Sequence, residues 1–177
     1  MAFFDNTFVF SSLTAGQEVT ATASSTVVDL TGAGSGNAPA MINGFPATNT
    51  AIGFDIGLGD GVAIPYLFVG VKAKGTNSGT ITIALQAAPD NGSYSPGSYT
   101  TLYTTAAITA NNLVVGDYLI VQVPPTLFEF PSEALPRFYK VLYTVGGTVD
   151  LTFEAALLLN PPSSLINGQY NNNFVVV

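Results

Sequence analysis

The chain has 177 residues, of which 47% are apolar and 8% charged, with 11 acidic residues against 4 basic ones and a formal net charge of −7. An ordinary soluble domain carries about 25% charged residues. Cysteine, histidine and tryptophan are absent, which excludes disulfides, zinc sites of the Cys/His type and any Ser-His-Asp or Cys-His catalytic apparatus within one chain. The length suits one domain that can bury roughly 70% of its unfolded surface. Four basic residues are too few for a phosphate-binding footprint, so nucleic acid is not an expected partner. The longest apolar stretch, about Gly61 to Val71, falls short of the ~18–20 residues of a membrane helix, so no membrane partner is expected either.

The opening string MAFFDNTFVF lacks a basic region and a cleavage site, so no secretory signal is expected. It places Phe3, Phe4, Phe8 and Phe10 within ten residues of the terminus. Termini are usually polar and frayed. These rings therefore need cover, from the chain's own core or from a partner. The sharper reading is an N-terminal arm over residues 1–17 that clasps a partner. Glu18 to Leu30 reads as a strand with Thr20, Thr22 and Ser24 exposed. Residues 31–50, rich in Gly, Ala, Asn and Pro and free of charge, read as a long loop or insertion.

The string Asp55-Ile-Gly-Leu-Gly-Asp-Gly61 is the most motif-like in the chain. It lacks the Lys-Ser/Thr of a phosphate loop. Glycines stand where an EF-hand needs oxygen ligands. A tight turn is the plain reading, and a looser calcium site through Asp55 and Asp60 stays open beside it. No metal or cofactor is expected.

Period-two alternation then recurs. In Pro65–Ala73, Leu67, Val69 and Val71 share a face opposite Tyr66, Phe68 and Lys72. In Thr80–Ala87, Ile81, Ile83 and Leu85 alternate with Thr and Gln. Tyr99–Thr104 is a shorter strand, followed by Asp117–Val123, Arg137–Val145 and Thr148–Leu157. The turn strings Gly75–Gly79 and Gly146-Gly147 are read as hairpin turns. Asp150 and Glu154 lie on one face of one strand, four residues and so about 13 Å apart, too far for glycosidase geometry. Glu129 and Glu133 flank Pro131 in a loop. Lys72 and Lys74 share a face and can pair with a neighbour's acids to set register. The tail from residue 161 carries Asn171-Asn-Asn173 before Phe174 and Val175, and is read as a second apolar arm over residues 161–177. The fold class is therefore all-β: an antiparallel jelly roll or β-sandwich over residues 18–160 with extended N- and C-terminal arms.

Taken in order, several strings together resemble the capsid cement, or decoration, proteins of tailed bacteriophages. They are Phe10-Ser-Ser with Ala15-Gly-Gln17, Val19 to Leu30, Asp55-Ile-Gly-Leu-Gly59 ahead of Pro65 to Val71, Gly79 to Gln86, Leu135-Pro-Arg-Phe-Tyr139 and Val141 to Val145. The resemblance covers about Asp5 to Asn160. Residues 32–50 look like an insertion against that pattern, and 161–177 like an extension. The resemblance implies a β jelly roll on the outer surface of an icosahedral head that bridges neighbouring capsomers and does no chemistry. It implies the major capsid protein and further copies of the chain, as dimer or trimer, as partners, on particles assembled in the host cytoplasm. It carries over no catalytic residue and no cofactor. The residues expected to touch partners are Phe3, Phe4, Phe8, Phe10, Lys72, Lys74, Phe174 and Val175. Two rival readings remain: a carbohydrate- or receptor-binding sandwich using Tyr66, Tyr94, Tyr99, Tyr103 and Tyr118 as stacking faces, and a carboxylate hydrolase.

Overall fold

A computed structural model describes residues 9–29, 41–42, 45–46, 65–93, 95–123 and 136–159. In chain order the strands are β1 (Val9–Ser11), β2 (Gln17–Val19), β3 (Ala23–Ser24), β4 (Val28–Asp29), β5 (Met41–Ile42), β6 (Phe45–Pro46), β7 (Pro65–Lys74), β8 (Thr80–Pro89), β9 (Thr100–Thr104), β10 (Ile108–Thr109), β11 (Tyr118–Gln122), β12 (Pro136–Gly146) and β13 (Leu151–Leu159). A 3-10 turn, Ala110–Asn112, follows β10. One sheet has the order β1-β13-β7-β11, with β2 also on β13. The other has the order β10-β8-β12-β3, with β9 also on β8 and β4 also on β12. Every pairing in them is antiparallel. A small β5–β6 pair lies within the expected insertion. The two sheets pack face to face as an antiparallel β-sandwich.

The alternation in the sequence selects the inner faces. Leu67, Val69 and Val71 of β7 meet Ile81, Ile83 and Leu85 of β8, Tyr139, Val141 and Tyr143 of β12, and Leu151, Phe153, Ala155 and Leu157 of β13 in one core. The Tyr143 and Phe153 rings stack across the two sheets at 5.1 Å and 11°. The Tyr143 hydroxyl is buried with them, 2.9 Å from Ser11 Oγ. Ser11 gives its own proton to Gln17 Oε1 at 2.8 Å, so Tyr143 is the donor in that pair. Gln17 Nε2 then donates to Ser24 O at 3.0 Å. This chain satisfies a phenol that would otherwise cost free energy in an apolar interior. Burial holds the Tyr143 hydroxyl above the usual phenol value of 10.0, and the Ser11 contact opposes that only partly.

The two glycine turns are not hairpins. β7 and β8 belong to different sheets, and so do β12 and β13. Residues 75–79 and 146–150 are corners through which the chain passes from one sheet to the other. They lie side by side. Gly75 N donates to Asp150 O at 2.8 Å, and Ser78 N and Gly79 N both donate to Thr148 O, at 3.0 and 2.8 Å. The Asn77 side chain acts as a spare peptide group: its Oδ1 accepts from Asp150 N at 2.7 Å, and its Nδ2 donates to Asp150 O at 3.2 Å. A Cβ on Gly79 would overlap Gly146 O and stand 2.9 Å from both Thr148 N and Thr148 O. Gly79 is thus required by close backbone approach between the corners. Period and turn composition are the same for a hairpin and a corner, which is why the sequence pattern misassigns them.

The single strand expected over Glu18–Leu30 is also broken. β2 pairs with β13, whereas β3 and β4 pair with β12 in the opposite sheet. Its serines and threonines replace ladder bonds with side-chain ones. Ser25 Oγ accepts from Val141 N at 2.8 Å and Thr22 Oγ1 from Val145 N at 3.0 Å. Hydroxyls of this kind compete with regular pairing and let the segment change sheets. Residues 9–17 of the expected N-terminal arm lie on the sandwich, since β1 pairs with β13 through Val9↔Ala156 and Ser11↔Ala155.

Gly79→Ala is expected to destabilise the fold by at least about 2 kcal/mol, because the backbone on both sides of the added methyl cannot retreat. Asn77→Ala should cost about 1–3 kcal/mol by stripping a partner from Asp150 N–H. Urea unfolding measures both. The buried phenol predicts an alkaline limb. Above the unfolded-state value of 10.0 the unfolded chain loses this proton while the folded chain keeps it, so stability falls as pH rises. Tyr143→Phe should make that fall shallower between neutral pH and about pH 11, while costing about 1 kcal/mol at neutral pH.

Candidate partner-binding surface

All four basic residues of the chain make contacts within it. Lys72 Nζ donates to Leu13 O at 2.7 Å and lies 3.4 Å from Glu154 Oε2 on the neighbouring strand. Lys74 Nζ donates to Asn111 O and Leu113 O, each at 2.7 Å. Lys140 Nζ sits 3.9 Å above the centre of the Tyr99 ring, an electrostatic contact with the face of the aromatic. Lys72 and Lys74 tie down two loops of their own chain.

Arg137 carries the strongest cluster. Its Nε and Nη2 donate to the two carboxylate oxygens of Asp29 at 2.8 and 2.9 Å, and its Nη1 contacts Asp90 Oδ2. The Asp29 side chain is 0% exposed. The fork of a guanidinium matches a carboxylate edge to edge, and donating its hydrogen bonds to Asp29 holds the Arg137 pKa above its ordinary value. Two acids on one cation leave the cluster one negative charge, which the partly exposed Asp90 carries at the surface. Asp90 also opens a tight turn, with Gly92 N donating to its Oδ1 at 2.9 Å.

The aromatic candidates part company. Phe10 is 1% exposed and belongs to the chain's own core. It is therefore not a surface grip, because β1 turns it toward Tyr143 and Phe153. Phe3, Phe4, Phe8, Phe174 and Val175 lie outside the described residues, as do Asp55, Asp60, Glu129 and Glu133. Val9 faces the other way from Phe10, into a second apolar cluster on the outer face of the β7 sheet with Phe68, Ile120, Ala156 and Leu158. Tyr66 and Tyr118 border that cluster, whereas Tyr103 packs on the main core and Tyr99 lies under Lys140. Tyr94 lies outside the described residues, and the other four tyrosines do not share one stacking face. Asp150 sits in a corner and Glu154 pairs with Lys72, so these two carboxylates do not converge. Among the described residues no group of three or more acidic side chains could hold a metal ion.

Sequence reading passes over Val114 and Val115. They are the exposed large hydrophobics among the described residues, at 55% and 60%. The three-residue apolar run Leu113-Val114-Val115 after Asn111-Asn112 has the same pattern as the start of a strand, so nothing in the string marks them.

Arg137→Ala should destabilise the fold by about 3–5 kcal/mol, since it removes the bidentate partner of the buried Asp29 carboxylate. Lys72→Met should cost less than about 1 kcal/mol, because that pair is partly solvated. Denaturant titration separates the two, and adding Asp29→Asn to the Arg137 variant should recover part of the loss.

No curated protein matches the chain. The family model described as Bbp16 matches residues 13–155, a span that begins after β1 and ends within β13. With that span covering most of its length, the chain belongs to the Bbp16 family, a phage-related family.

Proposed function

We propose that the chain is a non-enzymatic structural protein of a phage particle, a cement or decoration subunit that binds the outer surface of the icosahedral head, bridges neighbouring capsomers and also contacts copies of itself. The observation that carries this reading is the match to a phage-related family across nearly the whole sandwich. Three features support it. The body is a two-sheet slab with its corners locked together, so it can transmit load without bending. The 8% charged content suits a protein that lives against neighbours. The cations are consumed by internal contacts, and the net charge of −7 keeps the surface off packaged DNA.

The energetics of such a role are simple. A subunit that binds the closed shell and not its dissociated parts stabilises the shell by mass action. Footholds on two capsomers add avidity, so each foothold can be small. The apolar segments around Phe3, Phe4, Phe174 and Val175 are the proposed grips. With Phe10 in the core, the grip at the N-terminal side is confined to the residues before β1.

Removing residues 1–5, or residues 168–177, should lower occupancy on purified heads while leaving the melting temperature of the free protein unchanged. Co-sedimentation with heads and differential scanning fluorimetry give the two readouts. Unchanged occupancy for both deletions would refute the arm mechanism, and failure of the full chain to bind heads would refute the decoration role.

A further inference from the structure

The loop that leaves β8 reads Asp90-Asn-Gly-Ser93, and Asn91, Gly92 and Ser93 in it are exposed. Two Asx turns overlap there. Gly92 N donates to Asp90 Oδ1 at 2.9 Å, and Ser93 N donates to Asn91 Oδ1 at 2.8 Å. Each folds a short polar side chain back over the peptide that follows it. Gly92 takes a φ of 86°, and a Cβ on it would meet nothing within 4 Å. The ends of the loop are fixed. Asn91 N donates to Ser95 O at 3.0 Å, Gly97 N donates to Pro89 O at 2.8 Å, and Asp90 Oδ2 meets Arg137 Nη1.

These contacts assemble the parts of an intramolecular acyl transfer. The nucleophile is the Gly92 peptide nitrogen, which no side chain of its own residue shields. The electrophile is the side-chain amide carbon of Asn91. Its oxygen already accepts the Ser93 N–H, the kind of donor that stabilises charge developing on an acyl oxygen. The Asp90 carboxylate accepts the proton that the nitrogen must lose, at the distance a general base needs. Holding the groups in this arrangement removes much of the entropic barrier to their reaction.

We propose that Asn91 is a self-modification site, at which this turn deamidates its own asparagine. Gly92 N bonds to Asn91 Cγ while its proton passes to Asp90. The Cγ–Nδ2 bond then breaks, Asp90 returns the proton to the departing nitrogen, and ammonia leaves behind a succinimide ring. Water opens the ring at one of its two carbonyls. Attack at Cγ gives aspartate with the backbone unchanged, and attack at the main-chain carbonyl gives isoaspartate, whose chain runs through the side chain. One water is consumed and one ammonia released, with no change of oxidation state. Either product adds a negative charge to the net of −7, next to the carboxylate that grips Arg137. Isoaspartate also lengthens the main chain between fixed points, so the Asp90↔Pro96 bridge and the Asp90 end of the clasp loosen. The reaction belongs to the turn and does not rest on the decoration role.

The other asparagines among the described residues lack this arrangement. Asn77 has both side-chain atoms on the Asp150 backbone, and the following nitrogen, Ser78 N, donates to Thr148 O at 3.0 Å. Asn111 and Asn112 precede larger residues than glycine.

Incubating the full chain at neutral pH, with tryptic peptides followed by tandem mass spectrometry, tests this. Cleavage after Lys72, Lys74, Arg137 and Lys140 puts Asn91 on a different peptide from the other two Asn-Gly pairs, Asn43-Gly44 and Asn167-Gly168. Position 91 should deamidate ahead of Asn77, Asn111 and Asn112, and faster in the folded chain than in the same chain held in urea. Asp90→Asn, which cannot take the proton, should slow it at least about tenfold. It should also replace a rate nearly flat from about pH 6 to pH 8 by one that climbs with hydroxide; Arg137, itself paired with Asp29, is a charged neighbour that faces Asp90. Gly92→Ala leaves the Arg137 clasp in place and should slow the reaction several-fold by crowding the nitrogen. The isoaspartate fraction, separated by ion exchange, should unfold at lower urea than the unmodified chain. An Asn91 that outlasts the other three, a folded rate no higher than the rate in urea, or a rate and pH profile indifferent to Asp90→Asn would overturn the proposal.

Discussion

Two corners passing side by side from sheet to sheet are the constraint on which the rest of this molecule depends. They join β7 to β8 and β12 to β13, and those four strands pair as β8 with β12 and β7 with β13. The body is in effect one long antiparallel ribbon folded over on itself, with the fold line at residues 75–79 and 146–150. Every inner-face residue takes its place from that line. The angle and spacing of the sheets are set where Gly79 meets the backbone of Gly146 and Thr148, and Asn77 bonds the two corners as a peptide would. Edge strands then add to a frame whose register is already determined.

Much of this was legible in the string of residues. Strict alternation in the stretches that become β7, β8, β12 and β13 identifies which side chains face inward, since a pleated strand sends successive side chains to opposite faces. What alternation cannot carry is the partner. Gly146-Gly147 between two alternating runs has the local chemistry of a hairpin, and only the position of the second ribbon, far away in sequence, makes it a corner. The Ser/Thr run after β2 shows the opposite failure. Its β-favouring composition is real, but hydroxyls spaced along it can serve the backbone as well as a neighbouring strand can, and the segment divides its bonds between two sheets. Phe10 looked like part of an adhesive terminus because four phenylalanines fall together there. Alternation within the three residues of β1 was enough to send it inward and Val9 outward.

The candidate surface was less legible than the fold, and for a physical reason. A charge on a list says nothing of where its partner lies. Lys72, Lys74, Lys140 and Arg137 are scattered in sequence, and each meets a group far from it in the chain: Glu154, Asn111, Tyr99 and Asp29. The sparse charge of this protein is therefore structural currency spent on holding loops and sheet ends. The family match places the chain among phage-related proteins.

The Arg137 clasp has a consequence for how such a molecule can diversify. Asp29 closes β4, immediately before the connection of residues 30–64. Asp90 stands at the root of the loop that returns through Asp90↔Pro96, and Arg137 follows the connection of residues 124–135. One guanidinium thus fastens the roots of three connections at one end of the second sheet. When the ends of a connection are fixed by contacts outside it, lengthening the connection costs only loop-closure entropy, which grows slowly with length. Insertions can accumulate beyond the clasp without disturbing the strands behind it. The buried ion cluster thus separates the folded ribbon, whose register is fixed, from connections whose length can change.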